Sequence, residues 1–575
     1  MDSVLKAEKP GCGSFSYQDA VSIVKSLKTD IVTDKVAVRQ HNIPFMMKTL
    51  RCCDITLEDI DRLPIIHITG TKGKGSTSAF CESILRHSGY KTGFFSSPSL
   101  VKLNERFRIN GQPLSDEDFC SYFFDVYNKI EPILKDMQDR KIPVLFCFFT
   151  TMAFTVFIKE KVDVAVMEVG IGGQLDCTNV IRSPVVCGVT SLGLDHVDKL
   201  GDTIEKIAWH KAGIFKKGVP ALTVSQPPEA NAVLLERSQE IGAPLYSVPT
   251  LYEFCAAGQQ IRLGIEGNVH FVNAGLALQL CRVFLHRTNK ENQYVYDVLS
   301  VSSVKDIPML PVYQLSPEET EGLARCSWPG RAQTIYRPRL TYYLDGAHTK
   351  ESMQQCVEWF SDKSEKEAAT IKGRVHKVLL FTLSGCRSIS SMLSILKVIN
   401  FGEVVFCPGV DLYKLHEKSS AQSNELLVNA CEEIKMRWDS LCGDCPKDDC
   451  VINCDFPSTQ TSVLQTCPVT GRSMTSHHTM KTPSPHYDVN KSSSGMNTEN
   501  VTSDGNCPSY AFPSHLQALY WATQGRESKL SPDANSDLYN VPERPKDAGH
   551  IQVLITGSLR LVGAVLGVLS NDASN

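Results

Sequence analysis

Four stretches of the 575-residue chain concentrate the residue types that handle phosphate and divalent metal. In the first, the apolar run 65-IIHIT-69 gives way to Gly70-Thr71-Lys72-Gly73-Lys74-Gly75-Ser76-Thr77. Glycines there let successive backbone N–H groups turn inward, and a helix starting just beyond adds partial positive charge, so the loop is an anion cradle. Lys74 takes the place of the phosphate lysine, Ser76 or Thr77 is placed to reach Mg²⁺, and Lys72 is expected to face solvent. Gly75 departs from the usual spelling of such loops by standing between the lysine and the hydroxyl residues.

The second stretch is 162-VDVAVMEVGIGGQLDCTN-179, an apolar strand ending at Glu168 before Gly170, Gly172 and Gly173. That places a carboxylate at the carboxyl edge of a sheet, where open α/β sheets gather ligands. Mg²⁺ takes one or two carboxylates plus phosphate oxygens and water, which makes Glu168 a metal candidate. The third is 190-TSLGLDHVDKLGDTIEKIAWHKAGIFKKG-218, where His196 follows a strand and Asp195, so its imidazole could ligate a second metal. Asp202 and Glu205 have capping-box spacing for a helix over 203–212 with Gly213 at its end, and Lys211 in the last turn reads alone as a lysine answering the helix dipole. In the fourth, 327-SWPGRAQTI-335 with 341-TYYLDGAHTKESM-353, a constrained turn presents Arg331, and Asp345 and His348 stand between a strand and a helix. Both can face a nucleotide from a second domain, since ligands prefer such interfaces.

The elements that must position these groups alternate: 64-PIIHITG-70 into a helix, 162-VDVAVMEVG-170, 185-VVCGVTS-191 into a helix, 340-LTYYLDG-346 into a helix, and 376-HKVLLFTLSG-385. Near-continuous apolar strands alternating with helices predict an α/β fold with parallel sheets covered on both faces. The length and the 42% hydrophobic content allow two cores. The Pro-rich polar stretch 305-KDIPMLPVYQLSPEET-320 supplies a boundary, giving one domain over 14–310 and a second over 322–575. Within the latter, 440–548 turns to Ser, Thr, Pro, Asn and Asp, and is expected to be a disordered insert too poor in apolar groups to offset an ordering cost of about 1–2 kcal/mol per residue. A helix over 515-HLQALYWATQG-525 is expected inside it, and 551-IQVLITGSLRLVGAVLGVL-569 returns as a buried strand, a turn and a closing helix. The cluster 442-CGDCPKDDCVINC-454 has enough thiols for zinc but not a standard finger spacing, and reads as a polar cysteine-rich loop.

The formal charge of −4 without a concentrated basic face gives no footprint for nucleic acid and points to a small anionic partner. The longest apolar run, 144-VLFCFFTTMAFTVFI-158, falls short of the roughly 18 residues of a membrane span. The opening MDSVLKAEKPGCGSF has the pattern of neither a secretory nor a mitochondrial leader. A cytoplasmic protein is expected, with a mitochondrial pool only through a leader absent from this sequence. Most of the 21 cysteines sit singly in apolar runs, so no disulfide framework is expected.

Taken in order, 67-HITGTKGKGSTSAF-80, 93-GFFSSPSLVKLNERFRING-111, 167-MEVGIGGQLDCTNVI-181, 187-CGVTSLGLDHVDKLGDTIEKIAWHKAGIFKKGVPA-221, 328-WPGR-331 and 344-LDGAHT-349 resemble the folylpolyglutamate synthases of the Mur ligase superfamily. The likeness runs from about Tyr17 to Arg437 and resumes from His550 to Ser570. It implies a P-loop domain joined to a Rossmann-like domain, acting as a monomer on small molecules without nucleic acid or membrane. The implied reaction is ATP-dependent addition of L-glutamate to the γ-carboxylate of tetrahydrofolate through an acyl phosphate, with Mg²⁺ as cofactor and a monovalent cation admitted. By the same resemblance, Gly70, Thr71, Gly73, Lys74, Gly75, Ser76, Thr77, Asn273, Arg331 and Asp345 fall on nucleotide contacts, and Ser97, Glu168 and His196 on metal ligands. Lys211 falls on a lysine that reacts with CO₂ to an N-carbamate, which would face Mg²⁺ as an anion where a bare ammonium would be repelled. Lys74, Lys211, Asp345 and His348 fall on the catalytic set, and Phe146 and Thr150 on the folate site, whose aromatic wall could stack a pterin.

Departures from the family pattern lie at Ser99, Cys147, Val269, His270, Thr382 and Cys386, while Arg387 is kept. They leave two other readings open: a dihydrofolate synthase acting on dihydropteroate, and a nucleotide-binding homologue that has lost ligation.

Overall fold

The computed structural model describes residues 16–27, 39–137, 144–288, 306–383, 389–409, 421–443, 507–530 and 549–570. Eight strands form the first sheet: β1 Ile65–Thr69, β2 Thr92–Phe95, β3 Phe107–Ile109, β4 Gln112–Pro113, β5 Val164–Glu168, β6 Val186–Val189, β7 Ala221–Thr223 and β8 Leu245–Ser247. Their order is β4-β3-β2-β5-β1-β6-β7-β8, parallel except for β3 and β4, which turn back antiparallel at one edge. Every residue of β1, β2, β5 and β6 is buried, which is why these strands read as unbroken apolar runs instead of alternating ones.

The pleat still sorts the side chains. Ile66 and Ile68 join the layer built with Phe80 and Ile84 of the helix Lys74–His87 and with Leu276 and Leu280 of the helix Val269–Thr288. Ile65 and Phe95 point the other way, into Phe107, Phe119, Phe123, Phe148 and Phe149. The run that fell short of a membrane span is the helix Val144–Glu160, apolar all round and sunk in this aromatic layer. Each such ring contributes about 1.5–3 kcal/mol by leaving water. Among the described residues, no helix is long and apolar enough to cross a membrane.

The second sheet comprises β9 Gln333–Arg337, β10 Leu340–Leu344, β11 Val375–Phe381, β12 Glu403–Phe406, β13 Ser509–Ala511 and β14 His550–Thr556, ordered β13-β12-β11-β14-β10-β9. Only β9 is antiparallel to its neighbour. The last strand in sequence is thus central, with Leu340 opposite Ile551 on one side and Val375 opposite His550 on the other. The helix Leu559–Ser570 closes the layer as its apolar pattern predicts. The structure is α/β with two parallel-dominated sheets, as expected from the alternation of elements.

Much of 440–548 lies outside the described residues, including Cys445, Cys450 and Cys454 of the cysteine cluster; Cys386 and Arg387 do too. The helix expected there is present as His515–Thr523. The strand β13 was not foreseen, because three half-buried residues are too few to show an alternation. One expected cap is corrected. Thr203, in extended conformation at φ −123°, caps the helix Ile204–Ala212 by accepting from Lys206 N at 3.4 Å, while Asp202 pairs with Lys206 Nζ at 2.8 Å.

Candidate active site

The phosphate loop is held by close backbone contacts. Gly70 and Gly73 have φ of 149° and 89°; a Cβ on them would stand 1.7 Å from Thr190 Oγ1 and 2.2 Å from Asn273 Oδ1. Glycine is therefore required at both, by conformation and by space. Thr71 and Lys72 donate their N–H groups to Ser191 O at 3.0 and 3.1 Å, and Thr71 Oγ1 donates to Gly193 O at 3.1 Å. The expectation that Lys72 faces solvent is corrected: its Nζ pairs with Asp195 Oδ2 at 2.8 Å, bracing the loop against the segment that carries His196. Lys74, in the first turn of the loop helix, has no ion-pair partner among the described residues and lines the cleft with Thr71, Gly73, Gly75 and Ser76. The Thr77 hydroxyl is buried without a protein partner.

Glu168 ends β5, only 4% exposed, and accepts from Ser97 N at 3.0 Å. Burial holds its carboxyl above the usual range, opposed by Lys74, the Ser97 N–H, Arg331 and Arg106, so positive groups from three segments converge on it. His196 caps the short helix Val197–Leu200 with φ 52° and lines the mouth of the cleft as an exposed residue. Although the residue as a whole is exposed, its ring is partly shielded by the cleft wall, and that desolvation, outweighing the Asp195 carboxylate, lowers its pKa to about 4. Lys211 lies under the loop instead of lining the cleft: its Nζ is buried and donates to Gly70 O at 2.7 Å. Burial first, then the charge of Lys74, pushes its pKa well below the normal lysine value.

The residues fit a hard divalent cation. Glu168 and the unpartnered Thr77 hydroxyl are oxygen donors beside an anion cradle. Among the described residues no three His, Cys, Asp or Glu side chains form a metal cluster, so an ion here would depend on phosphate oxygens and water, as Mg²⁺ does.

The second sheet supplies the facing wall. Asp345, just past β10, accepts from Ala332 N at 2.8 Å and Ala347 N at 2.9 Å. Burial raises its pKa against the pull of Arg331, whose guanidinium donates to Gly330 O at 3.2 Å. His348 Nδ1 lies 2.8 Å from Gly346 O, and its N–H donates to Ser352 Oγ at 3.1 Å. Trp328 packs 5.2 Å from the Phe94 ring, and a Cβ on Gly75 would meet its Nε1 at 3.1 Å, so the turn that aims Arg331 leans on the phosphate loop. Asn273, 2% exposed, donates from Nδ2 to His270 Nδ1 at 3.3 Å.

All of this borders one cavity of about 1090 Å³, which extends beyond Glu168 into a second lobe. Phe146 is there, its ring so close to Gly170 that a Cβ would come within 2.5 Å of Cζ. Thr150 is not: it is fully buried and its Oγ1 donates to Phe146 O at 2.8 Å. The lobe contains residues the sequence did not single out. Arg39 reaches Ile171 O through NH2 at 2.8 Å and leaves NH1 unpartnered; Asn42 donates to Leu175 O at 2.9 Å and leaves Oδ1 unpartnered. The guanidinium of Arg106 lies 4.9 Å over the Phe149 ring, and Asp176 accepts from Ile171 N at 3.0 Å. Cys147, one of the departures, is buried with its Sγ 2.8 Å from that of Cys177; both are free thiols outside the lining.

No protein-family model matches the chain. It is 40% identical over 97% of its length to the mitochondrial folylpolyglutamate synthase of Bos taurus, covering 93% of that protein. The mitochondrial folylpolyglutamate synthase of Homo sapiens gives 40% identity over 97% of the chain and 92% of the relative. A solved Mycobacterium tuberculosis folylpolyglutamate synthase complexed with ADP aligns at TM-score 0.60 and 21% identity, over 97% of this chain and all of that one, sharing the fold. The cytoplasmic expectation is corrected by these relatives, since the near-full-length matches are named as mitochondrial enzymes.

Proposed function

The chain belongs to the folylpolyglutamate synthase family, and from that premise we propose how its own residues carry out ATP-dependent γ-glutamylation of a reduced folate. The observation that carries the reading is the continuity of the cleft: one cavity joins the phosphate loop to a lobe lined by aromatic rings and buried arginines. A long acceptor with a flat ring at one end and a carboxylate at the other fits that shape, the ring stacked by Phe146 and Phe149 and the carboxylate brought toward Lys74 and Glu168.

A carboxylate is a poor electrophile at neutral pH. Its oxygen attacks the γ-phosphorus of ATP, ADP leaves, and the resulting acyl phosphate is attacked by the glutamate amine with loss of a proton and inorganic phosphate. The loop N–H groups and Lys74 hold the transferring phosphoryl group, and Arg331 approaches from the opposite wall, so charge is met from both sides. Asp345 fixes the backbone of Ala332 and Ala347 and thereby aims Arg331 and His348. Ser97, Glu168, Thr77 and His196 would hold Mg²⁺, which when bound would neutralise phosphate charge. Burial lowers the pKa of Lys211 and so favours the neutral amine, the form that adds to CO₂ with loss of a proton to give a carbamate. Asn273 and Gly73 border the nucleotide, and Thr150 supports Phe146 from one turn away.

We assign the ATP-binding half to 14–310 and the Rossmann-like half to 322–575, with 440–548 as an insert, and read the protein as a monomer acting without nucleic acid or membrane. Purified protein given MgATP, tetrahydrofolate and glutamate is expected to release ADP in step with a lengthening glutamate chain. Absence of both products would sink the reading, and faster turnover with dihydropteroate than with tetrahydrofolate would move it to a dihydrofolate synthase.

A further inference from the structure

One carboxylate on the wall of the cleft ties the two halves of the molecule together. Glu266 belongs to the first half, in the segment leading into the helix Val269–Thr288 that carries Asn273. Its Oε1 accepts from Lys363 Nζ at 2.6 Å, and its Oε2 accepts from Trp359 Nε1 at 3.2 Å and, at the outer limit of a hydrogen bond, from Thr334 Oγ1 at 3.5 Å. All three donors belong to the second half: Thr334 on β9, and Trp359 and Lys363 one turn apart on the helix Lys350–Ala368. Trp359 is only 6% exposed, its ring meeting Tyr343 edge-on at 5.8 Å, so it is rooted in the core of that half. Lys363 and Glu266 are about a third exposed and border the same cavity as the phosphate loop.

We propose that Glu266 is a positioning residue, a latch that acts through Trp359 and Lys363 to hold the second half in register over the nucleotide. The first half contributes the phosphate loop and Asn273; the second contributes Arg331, Asp345 and His348. These groups can act together only if the halves keep one separation, and Glu266 accepts donors from two elements of the far half at once. The strand β9 and the turn carrying Arg331 are adjacent in sequence, so a shift at Thr334 is transmitted to Arg331 within three residues. Gly267, next to Glu266, has φ 97°, a left-handed conformation that favours glycine and sets the turn from which Glu266 reaches across.

The proposal rests on the nucleotide-binding role of the cleft, and its test reads binding separately from turnover. Calorimetric titration of a non-hydrolysable ATP analogue with Mg²⁺ is made on the wild type, Glu266→Gln, Lys363→Met and the double variant. Glu266→Gln keeps an acceptor for Trp359 while removing the ion pair, and Lys363→Met removes it from the other side. Each single change is expected to weaken analogue binding about twofold to fivefold, the double no further, because a pair about a third exposed has only that much to lose and the two changes remove one interaction. Glu266→Ala, which also frees Trp359 and Thr334, should weaken it beyond either. Added salt weakens binding of the anionic analogue to every variant, but it should narrow the gap between the wild type and Glu266→Gln, since only the wild type also loses the ion pair. Equal binding by all four proteins, or single effects that multiply in the double variant, would overturn the latch. Analogue binding that follows this pattern in a protein without ligation would leave the latch standing and refute the ligase mechanism instead.

Discussion

At the scale of single residues, the cleft is organised by charges that burial makes expensive to leave unmatched. Lys74 faces a cradle of N–H groups and bears on Glu168, His196 and Lys211, so it serves both the phosphate and the protonation of its neighbours. Lys74→Ala should therefore lower kcat by about 10²–10³, the range for removing one preorganised charge donor, with the thermal midpoint unchanged. Measured turnover within a factor of a few of wild type would show that the loop is not the phosphoryl site. The loop glycines and Lys74 were legible because the chemistry restricts both residue type and spacing there. Arg39 and Asn42 were not: each is a single polar residue in an ordinary helical stretch, and only folding brings their unpartnered atoms to the cavity. Thr150 erred in the opposite direction, since a hydroxyl in a helix can satisfy itself on the carbonyl four residues back.

At the scale of elements, the two faces of the first sheet have different work. The helix Val144–Glu160 presents Phe146 to the acceptor lobe, and Gly170, beyond β5, makes room for that ring. Gly170→Ala would put a methyl 2.5 Å from the Phe146 Cζ and push the ring into the lobe. The expected outcome is a KM for the folate acceptor raised about tenfold, the effect of one carbon in a fitted pocket, with the KM for ATP unaltered. Equal shifts in both constants would mean that Phe146 does not border the acceptor. In the second sheet β10, β11 and β14 were readable as apolar runs, while β9, β12 and β13 and the strand order were not. Trp521 lies 4.5 Å from the Tyr510 ring and 5.7 Å from Phe512, and is 4% exposed. These rings show that part of the polar 440–548 stretch completes the core, which composition averaged over the stretch concealed. Trp521→Ala should cost about 3–5 kcal/mol, the range for emptying a large aromatic site, measured as a fall in the denaturant midpoint. A loss under about 1 kcal/mol would place residues 507–530 outside the cooperative unit.

For the whole molecule, the response to acid follows from histidines folded in neutral form, of which His67 and His270 have the lowest pKa values. His67 on β1 is fully buried with Nε2 2.9 Å from Thr178 Oγ1, and His270 is 4% exposed and accepts from Asn273. Burial lowers both pKa values to about 3, with Lys216 adding to the effect at His67 and Arg331 at His270. The unfolded chain titrates near 6.5, so above that pH both states are neutral and nothing is lost. As pH falls through 6.5 toward 3, only the unfolded chain takes up the proton, and stability drops by about 1.4 kcal/mol per histidine per unit. At pH 5.5 the two together should cost about 3 kcal/mol, a large share of the roughly 5–15 kcal/mol that holds a domain folded. The urea midpoint should fall between pH 7.5 and 5.5, and His67→Asn should remove about 1.4 kcal/mol of that pH-dependent loss whatever it does to stability at pH 7.5. An unchanged pH dependence in this variant would show that His67 is solvated or protonated in the folded state. In the folded protein His270 stays neutral over the same interval, so its imidazole goes on accepting from Asn273 beside Gly73 and nucleotide affinity should not decline on its account.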